Sequence, residues 1–339
     1  TSYILVGYMT HERRSQEASL KYFIFGSVSV STMIYGFTFW YGFSGTTLLY
    51  EMPGPLSAAS LPLLLTSVVL ILGGLAFKAS VAPMHLWVSD VYEGAPTPVT
   101  AFISVGPKAA GYAALARAFV VGLPEGVGWP LLLAVVAAVT MTLGNVQMIP
   151  QRSVKRLLAY SSVAQAGYLL MGVVAFSYTS LGRESLLYYT LAYLFMNFGA
   201  FMVVQYVARR SGSEDLSAYS GLGRRSPLVA AGMVLLLMAL VGIPPLAGFF
   251  GKLLLFTAVI EAGFGWLAVI AIINTVISLY PYLRVVGPMY LGQPEGEWEK
   301  GGTRLLFGLI LFCVAAVLVL GVYPQPFLEL VRASAMFMP

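Results

Sequence analysis

LVAAGMVLLLMALVGIPPLAGFFGKLLLFTAVI, residues 228–260, is the stretch whose reading decides the fold. It is apolar throughout, and Lys252 is its single charge. A helix needs roughly 20 such residues to cross a hydrocarbon core. Pro244 and Pro245 remove backbone donors and clash with the preceding turn, so the helix must break between them and its ends. Carbonyls and amides freed inside a membrane must be buried in protein or line a wet cavity. A lysine beside such a break reads as part of an ion site.

The rest of the chain agrees with a membrane setting. Of 339 residues, 58% are hydrophobic and only 10% are charged, against about 25% charge in a soluble domain. Mean hydropathy is +0.83. This composition excludes a disordered chain, a disulfide scaffold and an ordinary soluble enzyme. Long unbroken apolar runs exclude the short alternating strands of a membrane β-barrel. The fold expected is an all-α, polytopic transmembrane helix bundle. Nine spans are expected at about 18–43, 60–84, 97–121, 128–149, 157–176, 185–208, 228–260, 265–291 and 304–323. The opening residues, TSYILVGY, read as the end of a further helix, and an N-terminal portion is expected to precede them.

Positive charges sort the loops. Taking alternate loops, one side holds Arg13, Arg14, Arg152, Lys155, Arg156, Arg209, Arg210, Arg224, Arg225, Lys300 and Arg304, while the other holds only Arg183 and Arg332. That asymmetry assigns the first side to the cytoplasm. The segment 85–96, read as a loop on that side, carries Asp90 and Glu93 but no cation. These two acids fit a wet mouth beside His85. The net charge of +5 therefore reads as orientation in a membrane, with no nucleic-acid partner expected. Cys313 is the single cysteine, and the two histidines, His11 and His85, lie far apart in sequence. No metal site is expected.

Six cations remain within or at the edges of spans: Lys21, Lys78, Lys108, Arg117, Lys252 and Arg284. A cation at the centre of a membrane helix costs roughly 2.5–3.5 kcal/mol on insertion scales. Arg117 and Arg284 lie near span ends and can snorkel. Lys21 follows Glu17 at i,i+4, which makes either a partly buried ion pair or a functional one. Lys108 sits near mid-span after Gly106 and Pro107, where snorkelling cannot reach water. Lys78 lies in GGLAFKASVAPMHLW, 73–87, between paired glycines and Pro83, with His85 close behind. This is a second broken helix. The two broken segments are the second and seventh of nine, so they enter from opposite sides. Interrupted helices at matching places in an inverted repeat point to a transport site. Spacing alone gives a transporter or channel with a lysine-lined polar path. Lysine suits proton carriage once dehydrated, because burial disfavours its ammonium form.

These residues carry a resemblance. YILVGY at 3–8, SQEASLKYFIFGSVSV at 15–30, FKASVAPMHLWVSDVYEGAPTPVTAF at 77–102, PKAAGY at 107–112, KRLLAYSSVAQAGYLL at 155–170, GIPPLAGFFGKLLLF at 242–256 and GVYPQPFLELV at 321–331 resemble the antiporter-like membrane subunits of proton-pumping NADH–quinone oxidoreductase, respiratory complex I. Within that family the chain is most similar to subunit N. The resemblance implies fourteen helices in a full subunit, of which about nine lie here. It implies a proton relay through Lys78, Lys108 and Lys252, with Glu17, Lys21 and His85 on a secondary path. A partner glutamate for Lys78 would fall upstream of Thr1. It implies no cofactor in this chain, with FMN, iron–sulfur clusters and quinone in other subunits. The partners implied are neighbouring membrane-arm subunits and the lipid bilayer, in a bacterial inner membrane.

One transmembrane domain over 1–339 is expected. Residues 1–8 would end a helix, 18–149 would complete a first repeat and start a second, 150–291 would finish it, and 304–339 would form a last helix and tail. Three alternatives share these features: a subunit of an Mrp-type cation/proton antiporter or related membrane hydrogenase, an independent solute carrier holding an anion on its lysines, and a structural subunit whose lysines are merely ion-paired.

Overall fold

The computed structural model describes residues 1–124, 126–294, 298 and 304–335. Among these the chain is helical, and its one β pairing is an isolated antiparallel bridge between Ser153 and Asp215. The helices are α1 (Ser2–Val6), α2 (Arg13–Ser44), α3 (Pro53–Leu56), α4 (Leu61–Ala79), α5 (Trp87–Gly94), α6 (Thr97–Gly122), α7 (Trp129–Met148), α8 (Val154–Phe176), α9 (Ser180–Ser211), α10 (Leu222–Arg225), α11 (Pro227–Val241), α12 (Ala247–Glu261), α13 (Gly265–Leu291), α14 (Arg304–Val322) and α15 (Gln325–Ala335). Among the described residues seven are long and apolar enough to cross a membrane: α2, α4, α7, α8, α9, α13 and α14. The lysine-bearing α6 and the broken pair α11–α12 fill the two remaining expected spans. The fold is therefore the expected transmembrane helix bundle with two broken helices.

Burial separates the helices by role. A helix buried all round belongs at the centre, and α8 is almost wholly buried. It packs against α5, α6, α7, α9, α12 and α13. By contrast, α2 exposes Ile24, Val28 and Ile34, and α13 exposes Val269, Ile272 and Val276. Continuous apolar faces of this kind suit lipid rather than water.

Both breaks use one helix-ending device. α4 stops at Ser80, whose φ of 60° is left-handed, and the Val81 amide returns to the Ala76 carbonyl at 2.8 Å. α11 stops at Gly242, with φ 95°, and the Ile243 amide returns to the Met238 carbonyl at 3.0 Å. This six-to-one bond is the Schellman closure of a helix end. A cis peptide bond precedes Pro83 in the first break and Pro245 in the second. Beyond the first break, the Ala82 amide donates to Thr140 Oγ1 at 3.1 Å. Beyond the second, α12 starts close against the end of α11. A Cβ on Gly248 would lie 1.7 Å from the Ala239 carbonyl oxygen, so only glycine permits that approach.

The first break corrects one expectation. The span read as 60–84 ends at Ala79, and 87–94, read within a loop, is the helix α5. After the break Trp87, Val88, Val91 and Tyr92 form an apolar stripe, buried against α2 and α8. That stripe restores the helix despite the two acids. The charge sorting agrees with the contacts. Arg14, Lys155 and Arg209 line one cavity with Glu12, Glu93, Glu214 and Asp215, and Arg224 bonds Gln293. On the opposite side Arg332 pairs with Glu184 at 3.1 Å. Lys300 lies outside the described residues.

Candidate functional site

The site is built on one face of α8. Ser162, Gln165 and Tyr168 recur every three residues in the middle of the helix. Such spacing lines them up along one side. Each meets part of the candidate machinery.

Lys108 is buried, 1% exposed. Its Nζ donates to the Ser162 carbonyl at 2.7 Å and to Ser162 Oγ at 2.5 Å, and lies 5.6 Å from the Tyr193 ring centre. The Tyr193 hydroxyl donates to the same Ser162 Oγ at 2.9 Å. Asn197 Nδ2 donates to Ser104 Oγ at 2.6 Å, one turn before Lys108. Pro107 withholds the donor that would meet the carbonyl four residues earlier, so α6 is weakened one residue before its lysine.

Lys252 is also buried, 3% exposed. Its Nζ donates to the Val241 carbonyl at 2.9 Å and approaches Thr275 Oγ1 at 3.4 Å. It sits 4.1 Å from the Tyr168 ring centre. The Tyr168 hydroxyl in turn shares Thr275 Oγ1 at 3.0 Å. Val241 ends the half-helix α11, so its carbonyl has no partner within the helix. A cation at a helix C-terminus also meets the negative end of the macrodipole. Lys252 thus caps the broken helix it follows.

Lys78 closes α4, half-buried. Its ammonium is ringed by Tyr3, Tyr22 and Phe77 at 5.2, 5.9 and 5.5 Å from the ring centres. Among the described residues none of the three lysines forms an ion pair. They are held by carbonyls, hydroxyls and π faces. α6 lies tight against the end of α4, since a Cβ on Gly111 would stand 3.2 Å from the Ala79 nitrogen and from Lys78 Cβ. That places the Lys108 turn of α6 beside the first break.

The secondary residues divide. His85 lies in the first break and is 4% exposed. Its Nε2 is 3.4 Å from Gln147 Oε1 on α7, while its buried Nδ1 has no partner. Glu17 and Lys21 form the expected i,i+4 pair at 2.6 Å. The Lys21 ammonium also meets Asp90 at 2.8 Å, and Arg156 reaches Asp90 at 3.6 Å and Glu93 at 2.8 Å. This network belongs to the cationic side and includes none of Lys78, Lys108 and Lys252. Lys21 and Asp90 are 39% and 38% exposed, so Lys21→Ala is expected to destabilise by only roughly 0.2–1 kcal/mol. Thermal unfolding of the purified assembly measures it, and a larger loss would show that the pair is structural.

Arg117 is exposed, as snorkelling requires, whereas Arg284 donates to the Ile149 carbonyl. Lys155, read as a loop marker, is in fact buried. It donates to Glu214 Oε1 at 2.9 Å and to the Ala95 carbonyl at 2.8 Å. Composition hid two further groups. Ser162, Gln165, Tyr168, Tyr189, Tyr193 and Thr275 read as ordinary helix residues, although the run SSVAQAGY at 161–168 held the signal. Asn145 and Asn274 form a buried amide pair, 3.1 Å apart, next to Thr275.

Residues 1–278 match the family model described as NADH:quinone oxidoreductase/Mrp antiporter, TM. NADH-quinone oxidoreductase subunit N 2 of Chloroherpeton thalassium is 46% identical, over 98% of this chain and 67% of that protein. Subunit N of Desulfitobacterium hafniense is 41% identical, over 99% of this chain and 71% of that protein. A chain of respiratory complex I from Thermus thermophilus superposes with TM-score 0.83 at 33% identity, over 97% of this chain and 71% of the other. A chain of the Mrp complex from a Dietzia species superposes with TM-score 0.86 at 24% identity, over 96% of this chain and 68% of the other, and shows the shared fold. The chain belongs to the NADH:quinone oxidoreductase/Mrp antiporter transmembrane family.

Proposed function

We propose that this chain is a proton-translocating membrane-arm subunit of NADH–quinone oxidoreductase, working beside other membrane subunits in a bacterial inner membrane. The observation that carries the reading is that two buried lysines, Lys108 and Lys252, without carboxylate partners among the described residues, are joined to one face of α8, and Lys252 caps a broken helix. Lys78 stands at the other break, in the last turn of the helix that precedes it. Their neighbours are carbonyls, hydroxyls and aromatic faces, which suit a proton better than an anionic solute. In this reading Lys78, Lys108 and Lys252 exchange protons with water and with one another. Glu17, Lys21 and His85 serve a secondary path. Redox chemistry, with FMN, iron–sulfur clusters and quinone, belongs to other subunits. Fold alone does not separate this reading from an Mrp-type antiporter, since both neighbours superpose well. Identity does favour it, at 41–46% to subunit N proteins against 24% to the Mrp chain.

The test is Lys78→Ala in the assembled complex, in inverted membrane vesicles. NADH oxidation by an artificial acceptor reports assembly, and dye quenching reports proton uptake. The variant is expected to assemble and to lose the proton uptake that this subunit carries. Unchanged uptake per NADH, with assembly intact, would remove Lys78 from the relay.

A further inference from the structure

The broken end of α11 shows how its freed carbonyls are shared out. A helix C-terminus leaves four carbonyls without intrahelical partners. Here they are Met238, Ala239, Leu240 and Val241. Met238 receives the amides of Gly242 and Ile243, both at 3.0 Å. The Ala239 oxygen faces the bare Cα of Gly248. Leu240 receives Gln165 Nε2 at 3.0 Å, and Val241 receives Lys252 at 2.9 Å. Two side chains therefore hold adjacent carbonyls, one an ammonium and one an amide.

Gln165 is 1% exposed, and both ends of its amide are used. Its Oε1 accepts from the Tyr189 hydroxyl. That bond fixes the orientation of the amide, because a flipped one would set oxygen against the Leu240 carbonyl. Tyr189 also packs on the helix of Lys252: a Cβ on Gly251 would lie 2.5 Å from the Tyr189 ring. Gln165 sits three residues from Ser162, which holds Lys108, and three from Tyr168, which faces Lys252. Its hydrogen bonds go to neither lysine.

We propose that Gln165 is a positioning residue for Lys252. An amide does not titrate, so it holds the Leu240 carbonyl alike whether Lys252 carries its proton or has released it. The next carbonyl, Val241, is thereby kept in place to receive the reloaded ammonium. Lys252 is the exchanging half of the cap, and Gln165 is the constant half. This rests on the proton-relay reading above, and it assigns a separate residue to the fixed part of the site.

The experiment uses Gln165→Met and Gln165→Glu in the complete complex, in inverted vesicles, with proton uptake measured against pH and assembly followed by artificial-acceptor activity. Methionine keeps the length and removes both hydrogen bonds. Freeing a buried carbonyl that positions a partner is expected to lower proton uptake about tenfold at neutral pH, with assembly kept. A glutamic acid can donate to the Leu240 carbonyl only while protonated. Once ionised it repels that carbonyl and draws Lys252 away from Val241. Uptake in Gln165→Glu is therefore expected near the parent level at acidic pH and to fall relative to the parent as pH rises. The titratable groups facing this position are Lys252 on α12, Tyr189 on α9, Tyr168 on α8 and Tyr282, bonded to Ser161, on α13. The ion pairs of the described residues all lie elsewhere. A merely structural glutamine would lower uptake alike at every pH.

Parent-like uptake in Gln165→Met, or a parent-like pH profile in Gln165→Glu, overturns the proposal. If Gln165→Met does not assemble, Tyr189→Phe decides. It removes only the hydroxyl that orients the amide, and unchanged uptake there also overturns the proposal. Lys252→Arg is run in parallel. Full uptake in that variant removes the relay reading itself, whereas loss there with parent-like Gln165→Met removes only the positioning role.

Discussion

Lys252→Arg is expected to keep the assembled complex and to lose proton transfer through this subunit. The two substitutions at this position separate a cap from a carrier. Lys252 donates to the Val241 carbonyl at the end of α11, and arginine still places a cation and several donors there. Its extra bulk in a site 3% exposed costs on the order of 1–3 kcal/mol. Arginine, however, does not give up its proton within a protein. A residue that only caps the half-helix would survive this change. A residue that must release and regain a proton would not, and the transfer step is expected to slow by roughly a hundredfold or more. Lys252→Met makes the complementary test. It leaves the Val241 carbonyl buried and unpaired, at about 1–3 kcal/mol, and removes the cation from the helix terminus, at about 0.3–1 kcal/mol. Methionine is therefore expected to be the poorer variant in stability, and both are expected to fail in transfer. Pumping near the parent rate in the arginine variant would leave Lys252 as a cap alone.

How much of this was legible in the sequence follows from the range of each interaction. The break at Pro244–Pro245 is a local event, since proline removes its own donor, and the structure puts the end of α11 one residue before Gly242. The charge asymmetry is additive over loops, so it survives errors in span boundaries. Lys78, Lys108 and Lys252 stand out because an apolar run makes any cation conspicuous. α5 was hidden because Asp90 and Glu93 make 85–96 look like a solvated loop. Their partners, Lys21 and Arg156, lie 69 and 63 residues away along the chain for the two closest pairs. Gln165 was hidden for a related reason. A glutamine in a helix is unremarkable until the Leu240 carbonyl, 75 residues on, is seen to need a donor. The paired asparagines on α7 and α13, 129 residues apart, show the same dependence on packing. Local chemistry is readable one residue at a time, whereas the completion of a polar network is a property of the bundle.

Lys155→Ala is expected to destabilise the subunit more than any other single change on the cationic side. The lysine begins α8, where a cation opposes the positive end of the helix dipole, so it has no local reason to be there. Its reason is tertiary. The side chain, 4% exposed, meets Glu214 and also donates to the Ala95 carbonyl just past α5. Glu214 accepts from Thr97 at 3.0 Å at the start of α6. The segment bearing Glu214 is strapped to the start of α8: the Val154 amide donates to the Glu214 carbonyl at 3.0 Å, and the Leu216 amide to the Arg152 carbonyl at 2.9 Å. Three connections are therefore tied at one ammonium: α5 to α6, α7 to α8, and α9 to α10. Removing one partner of a buried pair costs about 3–5 kcal/mol. Glu214 keeps 27% exposure, so water offsets part of that and the lower end is expected. Lys155→Met with Glu214→Gln is expected to recover much of the loss, because neither substitution then leaves a charge alone. The unfolding midpoint of the purified complex, and the amount of this subunit retained in it, measure both. A loss below about 0.5 kcal/mol in Lys155→Ala, the usual range of surface changes, would mean that the strap is held by its backbone bridge and not by the ion pair.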